Sequence, residues 1–136
     1  MTVLVGYTRT AEGEAALERG VAEAKLRDEP LVVVHSRKTG EDKDVVEIVM
    51  YTEHLEEISQ RLTEDGITHT IRDLIHGNDA AEDIVATAVS ERAELVVVGL
   101  RPRSKTGKYL LGSTTQDVIL GAPCPVLSVR APGSTP

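Results

Sequence analysis

Short valine-rich runs recur along this chain, and between them the apolar pattern changes to a helical period. Residues 3–6 (VLVG), 31–34 (LVVV), 95–98 (LVVV) and 125–129 (PVLSV) are short, valine-dense runs, a composition that favours buried strands. The run at 95–98 is the purest and ends in Gly99, which marks a central strand. Residues 67–75 alternate instead, with Ile67, His69 and Ile71 on one parity and Thr68, Thr70 and Arg72 on the other, as a strand near a sheet edge does. Four helical patterns separate the five runs. The first starts behind Thr10 as N-cap and turns Leu17, Val21 and Ala24 to one side. The second carries the stripe Val45, Ile48, Val49, Leu55, Ile58 and Leu62, with Glu57 and Arg61 spaced to pair and Gly66 as its stop. Asp79 with Glu82 forms a capping box for the third, whose buried face is Ile84, Val85, Ala88 and Val89. Ser113 with Gln116 forms another for the fourth, which passes Val118, Ile119 and Leu120 and stops at Gly121. The polar stretch 37–44 reads as a loop.

Strands alternating with helices give an α/β fold, an open five-stranded parallel sheet with helices on both faces, because each parallel crossover needs a helix. Placing the purest runs, the first and fourth, side by side at the centre gives the order 3-2-1-4-5. The chain then reverses its winding between them, and sheets of this kind bind ligands at that reversal, outside the carboxyl ends of the strands. Residues 7–10 and 99–113 flank the predicted crevice.

Composition narrows the classes of function. A chain of 136 residues supports one domain, and 40% hydrophobic with 27% charged residues is a globular balance. No apolar run is long enough to span a bilayer, and the opening MTVLVGYTRT lacks the basic start of a secretory signal, so neither a membrane partner nor export is expected. The single Cys124 cannot form an internal disulfide, and a cytoplasmic location is expected. A net charge of -7 repels nucleic-acid backbones, and with no Phe, no Trp and three Tyr the chain has no platform for stacking several bases. Against that acidity one segment is inverted: Arg101, Arg103, Lys105 and Lys108 fall within eight residues that hold no acid. Clustered cations before a helix N-terminus, with the hydroxyls of Ser113 and Thr114 beside them, make a coherent anion site.

At these residues the chain resembles the universal stress protein family. The family's marker after the fourth strand is Gly, two residues, Gly, nine residues, then Gly and Ser or Thr; Gly99, Gly112 and Ser113 match, and Pro102 replaces the second glycine. The likeness extends to the start at residues 3–6 with Ala15, Ala16 and Leu17, to the strand before His35, to the Gly77 turn, and to Cys124, Pro125 and Val126. It implies an adenine nucleotide alpha hydrolase-like fold, a universal stress protein domain over residues 1–131 and a short tail at 132–136. It also implies a regulatory, stress-response protein that binds ATP, with Mg2+ as a companion, at Gly99, Gly112, Ser113 and Thr114. Thr8 stands where the family has an Asp, and a Thr carries no charge. Pro102 removes a backbone N–H, for which Arg101 and Arg103 compensate by gripping phosphate. Adenine is expected near Ser36. The family further implies a homodimer through the fifth strand and a protein partner that the sequence leaves unspecified. The competing reading is a dimeric interaction module of the same fold without nucleotide, in which Thr8 and Pro102 mark a lost site.

Other chemistries fit less well. Gly107 and Lys108 fail as a P-loop because Tyr109 follows, and the strand ends lack the acidic cluster of a phosphoryl-accepting receiver. His35 and His76 lie near carboxyl ends of strands without a second close ligand, so both read as structural. His54 and His69 carry no functional pattern. Cys124 reads as a small residue entering a strand. With no nucleophilic triad or paired carboxylates, a binding protein is expected, with slow ATP hydrolysis as the upper limit of catalysis.

Overall fold

Leu95, Val96, Val97 and Val98 offer water no polar side chain on either face, and all four are buried within one strand. The structure, a computed structural model, describes residues 1–38, 45–76, 79–101 and 111–132. In chain order the elements are β1 (Thr2–Gly6), α1 (Ala11–Arg27), β2 (Leu31–Lys38), α2 (Val45–Glu64), β3 (His69–His76), α3 (Ala80–Ser90), β4 (Ala93–Gly99), α4 (Ser113–Gly121) and β5 (Val126–Val129). All neighbouring strands pair in parallel, and the sheet runs β3-β2-β1-β4-β5, the expected order.

Side chains alternate across a strand, so each central strand feeds two cores. Val3, Val5, Val33 and Val97 meet Ala16 and Leu17 of α1 and Leu55, Ile58 and Leu62 of α2. On the opposite face Leu4, Val32, Val96 and Val98 meet Ala81, Ile84 and Ala88 of α3 and Val118 of α4. Each such side chain contributes roughly 1.5–3 kcal/mol when fully buried, far more than an exposed ion pair. The helix starts follow local chemistry. Thr10 Oγ1 accepts from the Gly13 N–H at 3.1 Å, and Asp79 Oδ1 accepts from the Glu82 N–H at 2.8 Å. Gly66, with φ of +72°, turns the chain after α2 in the left-handed region where glycine costs least.

Several expectations are corrected. β2 continues to Lys38, through the start of the stretch read as a loop. Val45 and Val49 are exposed, and the packed part of α2 begins at Tyr51, whose ring stacks on His35. Periodicity reports which residues share a face, not how far the sheet beneath them reaches. Arg61 lies 3.6 Å from Glu14 of α1, and Glu57 lies 3.9 Å from His54 one turn back on α2, so a tertiary neighbour and a local one replace the expected Glu57–Arg61 pair. Val89 of α3 and Ile119 and Leu120 of α4 face outward, while Asp83 and Thr87 are buried in α3. The capping box of Ser113 is not made. Gly112 is the N-cap of α4 and has no side-chain cap; its carbonyl accepts from the Gln116 N–H at 3.0 Å. No helix among the described residues is long and apolar enough to cross a membrane.

Candidate functional site

β1 and β4 are neighbours, yet their chains leave the sheet toward opposite faces, β1 into α1 and β4 toward α4. The diverging backbones open a crevice of about 250 Å³ at their carboxyl ends. Gly6, Tyr7 and Thr8 line it from β1, Gly99 and Arg101 from β4, and Val34 and Ser36 from β2. Ala80 and Ile84 close it from α3, and Gly112, Ser113, Thr114 and Thr115 bring the first turn of α4. Of the residues singled out in the sequence, Thr8, Ser36, Gly99, Arg101, Gly112, Ser113 and Thr114 therefore border one space. Arg103 and Pro102 lie outside the described residues.

The floor is main chain against main chain. A Cβ on Gly13 would overlap the Thr8 carbonyl oxygen, and one on Gly99 would overlap the Glu12 carbonyl oxygen. Gly112 differs: with φ of -68° its backbone suits any residue, and a Cβ there meets nothing within 4 Å among the described residues. Packing against the described residues does not call for glycine at position 112. Since Ser113 does not cap, its hydroxyl and that of Thr114 are exposed at the crevice beside the start of α4. The first N–H groups of a helix have no intrahelical acceptor and carry a partial positive charge, to which Arg101 adds a full one. Thr8 Oγ1 lies 2.9 Å from Thr10 Oγ1.

Three further groups escaped sequence reasoning. Glu12, in the first turn of α1, brings a carboxylate to the crevice. Ser36 Oγ donates to Asp83 Oδ2 at 2.5 Å, and Asp83 is 5% exposed. An acid and a threonine four apart inside the apolar stripe of α3 were the available indication. Behind the crevice the buried Tyr7 hydroxyl donates to Glu14 Oε1 at 2.5 Å and lies 2.5 Å from His54 Nε2. Burial first, then the Glu14 hydrogen bond and charge, holds the Tyr7 phenol well above its ordinary range. His35 Nδ1 lies 3.2 Å from Asp73 Oδ1, a structural setting shared with Tyr51. Only the backbone of His76 enters this description, paired with Lys38. Among the described residues no three His, Cys, Asp or Glu side chains gather as metal ligands. Cys124 is partly buried before β5, and that burial pushes its thiol up, away from reactivity.

The model of the universal stress protein family matches residues 1–130. The chain belongs to the universal stress protein family. A universal stress protein of Mycolicibacterium smegmatis is 37% identical over 131 residues, covering 96% of this chain and 98% of that one. The solved universal stress protein of Archaeoglobus fulgidus is 32% identical with a TM-score of 0.77, over 93% of this chain and 96% of that one. Another solved structure of a universal stress protein from Archaeoglobus fulgidus, in complex with dAMP, is 28% identical with a TM-score of 0.72, over 93% and 94%. The sheet order of this chain is that of a universal stress protein fold.

Proposed function

We propose that this universal stress protein binds ATP in the crevice between β1 and β4, and that occupancy sets its shape or its choice of protein partner in a cytoplasmic stress response. Gly112 carries the reading: a residue at the head of α4 that neither its backbone conformation nor the described residues around it require to be glycine leaves a path along which a phosphate reaches the backbone. Arg101, the hydroxyls of Ser113 and Thr114 and the start of α4 hold the phosphates. Gly99 lets the β4 end approach, Thr8 meets the ribose, and the base lies toward Ser36. The relative in complex with dAMP supports an adenine nucleotide as the ligand class. Mg2+ accompanies the phosphates, and Glu12 and Thr8 are the oxygen donors of the crevice suited to it.

Calorimetry with ATP, ADP and AMP, with and without magnesium, tests the proposal. Binding without rapid turnover is expected. Arg101→Ala should raise the ATP dissociation constant about tenfold to a hundredfold, because a charge-assisted hydrogen bond contributes roughly 1.5–3 kcal/mol. If no nucleotide binds at millimolar concentration, the crevice is a relic and the chain acts as an interaction module.

A further inference from the structure

The two ends of the crevice have opposite hydrogen-bonding polarity. Arg101 and the start of α4 are donors at one end. Ser36 stands at the other, where β2 meets α3, and its hydroxyl proton is committed to Asp83 Oδ2. A carboxylate accepts and does not donate, so Asp83 draws the Ser36 hydrogen to itself and leaves only lone pairs on Ser36 Oγ for a ligand. Asp83 is buried in the first turn of α3, and Ala80 and Ile84 of the same helix line the crevice next to it. Burial of Asp83 limits the water that could compete for its carboxylate.

We propose that Asp83 is a positioning residue that fixes Ser36 as a hydrogen-bond acceptor, and that the pair selects a purine with an exocyclic amino group over one with an oxo group there. The inference rests on the crevice being a nucleotide site. Adenine presents the N6 amino donor. Hypoxanthine has nearly the same shape but presents O6, so lone pairs face lone pairs. A site built to hydrogen-bond one group rejects an analogue that leaves its polar atoms unpaired far better than it rejects a small change of apolar size.

Calorimetry on the full chain, comparing ATP with inosine triphosphate, separates the possibilities. The wild type should bind ATP roughly tenfold or more tightly than inosine triphosphate. Asp83→Ala frees the Ser36 hydroxyl to rotate and donate, so it should tighten inosine triphosphate and bring the ratio toward one. Ser36→Ala should reach a similar ratio by the other route, weakening ATP alone. Inorganic tripolyphosphate, which needs only the donor end, should bind all three proteins alike. Circular dichroism checks folding, and if Asp83→Ala does not fold, Ser36→Ala decides. Equal wild-type affinity for the two nucleotides overturns the inference while leaving the nucleotide site intact, as does an ATP preference that survives in the variants. A wild type that binds neither nucleotide removes the site and the inference together.

Discussion

A Cβ on Gly99 would collide with the Glu12 carbonyl, whereas one on Gly112 would meet nothing within 4 Å among the described residues. The two glycines of the marker thus answer to different demands, packing at the end of β4 and access at the head of α4. Gly112→Val should therefore remain folded at a cost of about 1 kcal/mol, the difference between a fair and a poor N-cap. It should also lose at least about tenfold in ATP affinity, because a branched side chain blocks the approach to the helix end. Gly99→Val should lose about 3 kcal/mol or more, since main chain cannot yield as a side chain does. Urea denaturation of both variants beside calorimetry checks the pair; a Gly112→Val protein that binds ATP like the wild type refutes the access role. The spacing of Gly99, Gly112 and Ser113 was legible in the sequence, but the reason for each was not. Which backbone comes near a glycine depends on tertiary packing, and for the same reason the contact of Gly13 with Thr8 left no trace in the sequence.

Beside its apolar contacts, helix α2 makes two ring pairs of reversed composition: Tyr7, just past β1, with His54 of the helix, and His35 of β2 with Tyr51 of the helix. Tyr7→Phe keeps the ring packing but removes the hydroxyl shared by Glu14 and His54, so it should cost about 1–2 kcal/mol. The effect should depend on pH in a definite direction. Folding raises the Tyr7 pKa, so the folded state holds the phenol proton more tightly than the unfolded chain. That contribution is complete below the unfolded value of about 10 and is lost as pH rises above it toward the folded value. Denaturation of wild type and Tyr7→Phe at pH 8 and at pH 10.5 should show the wild-type advantage shrinking; an advantage that grows with alkalinity contradicts the assignment. Element by element, the caps at Thr10 and Asp79 were readable because a cap is local. The first turns of α2 and the outward Val89 and Leu120 were not, because an apolar stripe does not reveal where its partner ends.

Across the whole molecule, the order of the sheet was readable because only central strands can be apolar on both faces, and β1 and β4 are the strands that meet that condition beside the reversal. Among the described residues that order leaves β5 with one neighbour. The carbonyls of Pro125 and Val129 accept from β4, at Val96 and Leu100, so the alternation of a strand turns the backbone of Val126 and Ser128 outward. We expect a homodimer in which β5 pairs with its two-fold mate. Ser128→Pro removes an outward N–H without touching the β4 ladder, so it should give a folded monomer in sedimentation at micromolar concentration, where the wild type sediments as a dimer. A monomeric wild type contradicts this. The main-chain floor at Gly13 and Gly99 has a broader consequence. The location of the crevice is written in backbone and its appetite in side chains, so descendants of this chain can trade one small molecule for another by altering Thr8, Ser36 or Arg101 while the architecture they inherit stays as it is.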